Sequence, residues 1–433
     1  MHNPTDLQER RHSLTRKNLA DGVQLTCITT DSFHSAAFSA AFVLPLRAEN
    51  AAYAILPYLL YRGTAKCPNS AALGAALDGL YGARIEPYVR KVGESLVLGF
   101  VADSIDAACV PDGGQLTQPV IALLGDLLCR PALEDGRFIR EAFARERTAL
   151  VDRIRALANN PRSYAIRRAQ EILCEHEPFG ACEYGTAAAA EALTMEQVWQ
   201  AYQDALQHAR VELFACGSAD AQTVEAAFVQ ALDLPASDGR YIPEIDACRT
   251  HSPTRRVTEE MPVTQGKLTL GLRTGLTGGD DAYPALMLFT AALGGYTGSR
   301  LFTQVREARS LCYYASAYLD STKGLMMVAS GIDNDKYEEA LGEIVRQMED
   351  LHAGGLTRDE LERARRTVMS QTRELSDSPL ALEHYWQRQS IAGFCRTPED
   401  LLDALSKVGR GEVMAAGRRV DLDLIYFMKG VGV

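Results

Sequence analysis

The chain has 433 residues, of which 47% are hydrophobic and 23% are charged, and its formal net charge is -11 at pH 7. This composition is typical of a globular protein, and the length is sufficient for two or more hydrophobic cores. An acidic chain of this kind does not favour binding to nucleic-acid phosphates, which requires a basic surface, so we expect no nucleic-acid partner.

Cysteine usage and the start of the chain indicate the compartment. Ten cysteines are scattered along the sequence, and no two of them form a C-x-x-C pair. Unpaired thiols in a chain of this length are typical of a reducing environment. Residues 1–16 are polar and lack the apolar core of a signal peptide, and no run of eighteen apolar residues could span a membrane. We therefore expect a cytoplasmic protein without a membrane partner.

The first half of the chain begins with predicted strands and continues with predicted helices. Val23–Thr29 alternates apolar and polar residues, whereas Ala36–Leu46 is continuously apolar, as a buried strand would be. A further strand is predicted at Ser95–Ala102, and Ser70 is placed to cap one of the helices. Helices are predicted at Ala51–Tyr61, Ser70–Tyr81, Gln118–Cys129, Arg137–Leu157 and Pro161–Cys174.

An irregular stretch rich in Pro, Asp, Ser, Thr and Arg separates this half from a second one. We interpret 236–261 as a linker between domains 1–235 and 262–433, because the stretch has no sustained period. After it, the same order of elements begins again. Strands are predicted at Lys267–Leu276 and Gly324–Ser330, and helices at Asp281–Leu293, Lys336–Leu351 and Leu356–Leu375.

Two local matches indicate that the halves arose by duplication. The pair Ala52-Tyr53 precedes an apolar helix, as does Ala282-Tyr283. Residues 155–161 read R-A-L-A-N-N-P, and residues 373–379 read R-E-L-S-D-S-P, each after a charged helix. Their common order favours a repeat of two α+β units. The alternative is that similar helices share similar patterns.

The first half carries a segment that resembles a zinc-binding helix. Residues 54–64 read A-I-L-P-Y-L-L-Y-R-G-T. They resemble the metal helix of the insulinase/pitrilysin family of inverzincins and mitochondrial-processing-peptidase-like metallopeptidases, where H-x-x-E-H precedes apolar residues and K/R-G-T. The family's histidines share one helix face and bind Zn²⁺, while the glutamate activates water. On this register, Ala54 and Tyr58 replace the histidines and Pro57 replaces the glutamate.

The third zinc ligand of the family is a glutamate on a later helix, seven residues after another acid. Here Glu146 keeps the first acid, and Arg153 stands at the ligand position. The family binds zinc through histidine and glutamate side chains. None of the replacements, which are a methyl group, a proline ring, a neutral phenol and a cation, can take that place. The resemblance therefore implies a degenerate member without a metal or other cofactor of its own. An alternative metal site is Glu175-His176-Glu177, but residues 176–180 with Gly185-Thr186 resemble a structural loop of the family, which we favour.

The second half carries the more specific resemblance. Residues 294–316 read G-G-Y-T-G-S-R-L-F-T-Q-V-R-E-A-R-S-L-C-Y-Y-A-S, close to the family pattern G-G-x-x-x-S-R-L-F-x-x-V-R-E-x-x-x-L-x-Y. In the family, an arginine and a tyrosine of this window hydrogen-bond the substrate backbone near the scissile bond. On this sequence they are Arg306 and Tyr313. The alternative is structural, with Arg306 paired to a carboxylate and Tyr313 at the start of a buried strand.

The resemblance implies an α+β fold of two homologous halves, each an antiparallel-rich sheet covered by helices on one face, closing like a clam around a peptide. It implies a non-catalytic, substrate-contacting subunit that completes the active site of a zinc-bearing H-x-x-E-H partner, with zinc only in that partner. The chain is similar to the inactive partner chains associated with elongation-factor-P modification in Firmicutes. The alternatives are a structural or peptide-binding protein that keeps the fold, a homodimer, and a zinc peptidase with non-standard ligands.

Overall fold

The computed structural model describes residues 12–110, 116–237, 239–247 and 253–432, and the chain folds into two compact units. Unit 1 contains the described residues up to Ile154 together with Cys182–Glu244 and Ser376–Ile391. Unit 2 contains Arg155–Ala181, Ile245–Leu375 and the described residues from Ala392 onward. Each unit therefore includes one segment from the other half of the chain.

Unit 1 is built on a six-stranded sheet with the order β1-β2-β8-β3-β5-β4. All neighbouring pairs are antiparallel except β2 and β8, which run parallel, and β6 pairs with β7 in a separate short hairpin. The continuous apolar run in the sequence corresponds to β3, which is central and buried along almost its whole length. The strands are β1 (His12–Ala20), β2 (Val23–Thr30), β3 (Ser35–Pro45), β4 (Arg84–Val92), β5 (Ser95–Ile105), β6 (Leu133–Glu134), β7 (Arg137–Phe138) and β8 (Arg210–Gly217).

The predicted helices of this part of the chain are present, but Ala51–Tyr61 is divided into two helices, and the helix predicted from Arg137 begins at Arg140, after strand β7. The cap of the third helix also differs from the prediction. Asn69, and not Ser70, caps the third helix: its side-chain oxygen accepts a 2.9 Å hydrogen bond from the N–H of Ala72. Asn69 has extended backbone dihedrals that suit an N-cap, whereas Ser70 is already helical. The helices are α1 (Ala51–Ala54), α2 (Leu56–Leu60), α3 (Ser70–Gly79), α4 (Thr117–Cys129), α5 (Arg140–Ala156), α6 (Pro161–Leu173), α7 (Ala187–Glu191), α8 (Met195–His208) and α9 (Ala221–Ala231).

Unit 2 is built on a five-stranded sheet with the order β11-β12-β10-β13-β9. Its pairs are antiparallel except β13 with β9. Strand β9 falls inside the stretch that the sequence indicates to be an irregular linker. It is an edge strand whose residues alternate between partly buried and exposed positions, but two of the four partly buried residues, Arg255 and Glu259, are charged, so the apolar alternation that marks a half-buried strand is missing. The strands are β9 (Arg255–Met261), β10 (Gly266–Arg273), β11 (Tyr314–Asp320), β12 (Leu325–Ile332) and β13 (Asp421–Gly430).

Both faces of the unit 2 sheet are covered. Alternate residues of β13 point to opposite sides: Ile425 packs with the large helical core, and Tyr426 packs with α6. The expected layer of helices on one face is therefore confirmed, and a single helix from the first half of the chain lies on the other face. The remaining helices are α10 (Tyr283–Gly294), α11 (Tyr337–His352), α12 (Arg358–Glu374), α13 (Pro379–Ile391), α14 (Pro398–Lys407) and α15 (Arg410–Gly417).

The same arrangement occurs in unit 1, where α13 packs against β8 and β3 through Leu382 and Trp386. Helices α6 and α13 both begin at a proline, and each follows a short 3₁₀ turn, Leu157–Asn159 or Leu375–Asp377. These turns are the two segments matched in the sequence. The α+β fold with two homologous halves is confirmed. Among the described residues, no helix is both long and apolar enough to cross a bilayer.

Candidate functional site

The segment that resembles the zinc helix is interrupted at Ile55, between α1 and α2. Pro57 lies in the first turn of α2, where a proline is tolerated, but it has no N–H to continue the hydrogen-bond ladder from α1. The sequence predicts one helix over Ala51–Tyr61, and this missing donor explains the break. Ala54 is fully buried and Pro57 is buried.

Tyr58 and Arg153 lie in direct contact. The guanidinium carbon of Arg153 is 3.6 Å from the centroid of the Tyr58 ring, which is cation–π geometry. Both side chains are half-buried. The two positions were aligned with two zinc ligands of the family, and the structure brings them together from α2 and α5.

A neighbouring ion pair supports this alignment. Glu146, the acid retained on α5, is buried and accepts a 2.5 Å hydrogen bond from Nε of Arg62, the arginine of the R-G-T triplet. Gly63 lies against the backbone of Pro68, since a Cβ there would come within 2.7 Å of the Pro68 carbonyl carbon. The R-G-T triplet therefore fixes the loop that follows α2. The carboxylate of Glu146 is paired with Arg62.

Tyr184 is a member of this cluster that the sequence does not indicate, because it is distant in the chain from α2 and α5. Burial raises the pKa of its phenol, and the phenol of Tyr58 and the carboxylate of Glu183 act in the same direction. Tyr184 therefore stays protonated at neutral pH. We refer to Tyr58, Arg153 and Tyr184 as the Arg153 cluster.

The side chains at the aligned positions do not fit a zinc ion. Ala54 offers a methyl group, Pro57 a ring without a donor atom, and Tyr58 a phenol, which is not one of the usual zinc ligands. Arg153 adds a positive charge, and this charge opposes a cation. No hydrolytic step is therefore assigned to this place in the chain.

The alternative metal candidate, Glu175-His176-Glu177, has a different role in unit 2. The side chain of His176 is 91% exposed. Glu177 forms an ion pair with Lys323 at 2.7 Å and another with Arg273. Burial of Glu177 alone would raise its pKa, but these two cations hold the pKa below its ordinary value. The segment continues into a 3₁₀ turn at Pro178–Gly180, in keeping with the structural loop that we favoured.

Residues 294–316 contain three arginines, and two of them, Arg300 and Arg306, lie in different environments. Arg300 is buried: Nε lies 2.7 Å from Glu360, Nη2 lies 2.6 Å from the carbonyl of Gly355, and Nη1 pairs with Asp350. Arg306 is exposed, and its guanidinium carbon lies 4.7 Å from the ring centroid of Phe302. Arg300 therefore serves the fold, whereas Arg306 is presented to solvent.

The local backbone explains why Arg306 is presented in this way. Leu301–Glu307 forms a π-helix, a wide form that occurs often at functional sites. Leu301 and Val305 of this turn are fully buried and anchor it in the core of unit 2. Arg306 follows Val305 directly and projects on the outer side.

Tyr313 is also exposed, with 59% of its surface accessible. It directly precedes the edge strand β11, its N–H donates to the carbonyl of Gly331 at 2.9 Å, and its hydroxyl donates to Asp333 at 3.1 Å. The hydrogen bond and charge of Asp333 raise the pKa of Tyr313, so the phenol remains a donor. Within the described residues, Arg306 has no ion pair with a carboxylate, and Tyr313 is not buried, in contrast to the structural alternative.

Comparisons with known proteins identify the family of the chain. Residues 192–368 match the family model described as "Peptidase M16 inactive domain". The chain is 30% identical over 415 residues to "Probable inactive metalloprotease YmfF" of Bacillus subtilis, covering 96% of this chain and 97% of that protein.

Two solved structures share the fold. A conserved protein from Enterococcus faecalis superimposes with a TM-score of 0.85 at 25% identity, over 96% of this chain and 98% of that one. A peptidase M16 inactive domain from Pseudomonas fluorescens superimposes with a TM-score of 0.76 at 17% identity, over 97% and 98% of the two chains. With the R-G-T loop, the replaced zinc ligands and the Arg306 window, these matches lead to one assignment: the chain belongs to the M16 metallopeptidase family, as one of its inactive members.

Proposed function

We propose that this chain is the non-hydrolytic, substrate-contacting subunit of a heterodimeric zinc peptidase. The partner would be a homologous chain that carries H-x-x-E-H and the zinc ion. This chain would supply Arg306 and Tyr313, which hydrogen-bond the substrate backbone. The association with elongation-factor-P modification remains a prediction from the sequence.

The observation that carries the proposal is the difference between the two sets of family residues. At the zinc positions, every side chain has lost its metal-binding chemistry, and Tyr58 and Arg153 are stacked on each other. At the substrate positions, Arg306 and Tyr313 keep their chemistry and are exposed. Arg300, in the same window, supports the fold, whereas Arg306 and Tyr313 are exposed. A purely structural role would not account for these two exposed donors.

The chemistry of these donors suits a peptide. A guanidinium and a phenol can each donate to a carbonyl oxygen without a metal. When such donors are directed at the oxygen on which charge develops during hydrolysis, they stabilise the transition state. A partner with zinc and an activated water would therefore be faster when Arg306 and Tyr313 complete its site.

Reconstitution tests the proposal. The chain, a homologue from the same organism that carries H-x-x-E-H, and their equimolar mixture are assayed with a quenched fluorescent peptide library. We expect no zinc-dependent hydrolysis by the chain alone and a higher rate in the mixture than for the homologue alone. Gel filtration of each sample establishes whether the chains form a heterodimer and whether this chain forms a homodimer without its partner.

Substitutions identify the residues responsible. Arg306→Ala and Tyr313→Phe are expected to lower kcat/KM of the mixture by about tenfold or more each, the effect of losing one transition-state donor. Matched controls are Arg366→Ala, another exposed arginine of unit 2, and Tyr81→Phe, since Tyr81 is 56% exposed and Tyr313 is 59% exposed. If the mixture is active and Arg306→Ala and Tyr313→Phe leave the rate unchanged, the substrate role is wrong. A heterodimer without any gain in activity would favour the structural alternative.

A further inference from the structure

We propose that the Arg153 cluster of unit 1 binds a carboxylate of a peptide, held by the guanidinium of Arg153 and the phenols of Tyr58 and Tyr184. The family's cation site would thus have become an anion site in this chain. The inference goes beyond the proposed function and does not depend on it, because the binding can be measured on this chain without any partner.

Arg153 has hydrogen-bonding capacity that the described residues do not satisfy. Its Nη1 atom is buried, and it has no hydrogen-bond acceptor among the described residues. The nearby guanidinium of Arg62, by contrast, is paired with Glu146. A buried guanidinium nitrogen without an acceptor is costly, since its interactions with water are lost and not replaced. A carboxylate that reaches Arg153 would supply the missing acceptor.

The ring of Tyr58 fixes the position of the Arg153 guanidinium. Its carbon lies 3.6 Å from the ring centroid of Tyr58, so the ring holds the planar group from one side. Stacking on a tyrosine occupies the face of the guanidinium and not the edge along which its N–H groups point. The ring therefore fixes the orientation of Arg153, and no acceptor among the described residues is bonded to its Nη1 atom.

The neighbouring phenols provide a further donor. Tyr184 lies close to Arg153 and shares a side-chain hydrogen bond with Tyr58, so one hydroxyl proton lies between the two phenols. The carboxylate of Glu183 acts on Tyr184, but Glu183 is buried and has an interaction of its own. The cluster thus presents one positive charge and one hydroxyl proton that the bond between the phenols does not use.

This combination of donors favours a carboxylate as the ligand. The two oxygens of a carboxylate match the planar fork of a guanidinium, and such a charge-assisted pair is stronger than a neutral hydrogen bond. In a peptide, the carboxylate could come from the C-terminus or from an Asp or Glu side chain. Both sources have the same chemistry, and the choice of probes separates them.

The test uses the full chain and one short N-acetylated peptide of Gly, Ser and Ala in three forms. The first has a free C-terminal carboxylate, the second is amidated, and the third is amidated with one internal Glu. Isothermal titration calorimetry measures each dissociation constant. We expect the free acid, the Glu peptide or both to bind about tenfold or more tightly than the neutral amide. The form that binds identifies the source of the carboxylate. Equal binding of all three forms, or no binding of any, would overturn the proposal.

Substitutions connect the preference to the cluster. Arg153→Gln is expected to reduce binding of the preferred peptide to that of the neutral amide, and Tyr58→Phe, which keeps the stacked ring, to weaken it several-fold. Arg145→Gln is the control, because Arg145 is an exposed arginine on the same helix α5. Full binding by folded Arg153→Gln would refute the proposal. If that variant does not fold, the comparison of acid and amide on the wild-type chain, with Tyr58→Phe, still decides the outcome.

Discussion

The guanidinium of Arg153 covers the ring of Tyr58, with 3.6 Å between its carbon and the ring centroid. The motif registers align these two residues with two zinc ligands of the family. In this chain a cation–π contact, and not a metal ion, joins α2 and α5 at these positions.

Replacement of Arg300 should lower the stability of the chain far more than replacement of Arg306. Arg300→Ala leaves Glu360 without the partner that lies 2.7 Å away and also removes the contact with Gly355. We expect the free energy of unfolding to fall by about 3 kcal/mol or more, as for the removal of one partner from a buried ion pair. Arg306→Ala should change it by less than about 0.5 kcal/mol, because Arg306 is exposed.

Urea unfolding monitored by circular dichroism measures both variants. The predicted order would be contradicted if Arg306→Ala were as destabilising as Arg300→Ala, since Arg306 would then be a structural residue. This measurement also shows whether a loss of activity of Arg306→Ala in the mixture arises from misfolding.

The R-G-T loop should be sensitive to one added methyl group. In Gly63→Ala, the new Cβ would lie 2.7 Å from the backbone of Pro68, so the loop must shift, at a cost of about 1–3 kcal/mol. Gly74 in the exposed helix α3 has no atom within 4 Å of such a Cβ. Gly74→Ala should therefore stabilise the chain by about 0.5–1 kcal/mol, because alanine has a higher helix propensity than glycine. Thermal unfolding of the two variants checks the opposite signs.

The stability of the chain should depend on the protonation of His352. Its ring stacks on Phe289, and burial lowers its pKa, although the carboxylates of Asp421 and Glu349 act in the opposite direction. The folded state therefore favours the neutral ring, and unfolding takes up a proton as the pH falls below about 6.5. We expect stability to decrease from that pH downward, through the lowered pKa of the folded state.

His352→Phe keeps an aromatic ring in the stack and removes the titration. The difference in unfolding free energy between this variant and the wild type, measured from pH 7 to pH 5, should shift in favour of the variant as the pH falls. A constant difference across this range would show that His352 does not contribute to the acid sensitivity.

Much of the fold follows from local sequence patterns, and the exceptions have physical causes. The apolar run of β3 and the amphipathic spacing of α11 and α12 identify those elements directly. Strand β9 is missed because its stability comes from parallel pairing with β13, a strand distant in the sequence. The helix over Ala51–Tyr61 is interrupted because Pro57 lacks a donor, and Asn69 takes the cap because its side chain reaches the free N–H of Ala72.

The candidate site is predictable only in part. The motif registers identify Tyr58, Arg153, Arg306 and Tyr313, and the contact between the first two agrees with the register on α5. Tyr184 follows from no motif, since proximity between residues distant in the chain depends on tertiary packing. The difference between Arg300 and Arg306 is likewise absent from the sequence, where both are arginines of one window. It depends on tertiary packing: Arg300 directly precedes the π-helix and pairs with Glu360, whereas Arg306 lies within the π-helix and is exposed.

The zinc content of the purified heterodimer shows which of the two chains holds the metal. The complex is isolated by gel filtration after incubation with zinc, and the metal is measured by elemental analysis alongside each chain alone. We expect one zinc ion for each pair of chains, all of it retained by the H-x-x-E-H partner, and none on this chain by itself. One zinc ion bound for each copy of this chain alone, and absent from the Tyr58→Phe variant, would show that this chain has a zinc site of its own and is not the non-hydrolytic subunit.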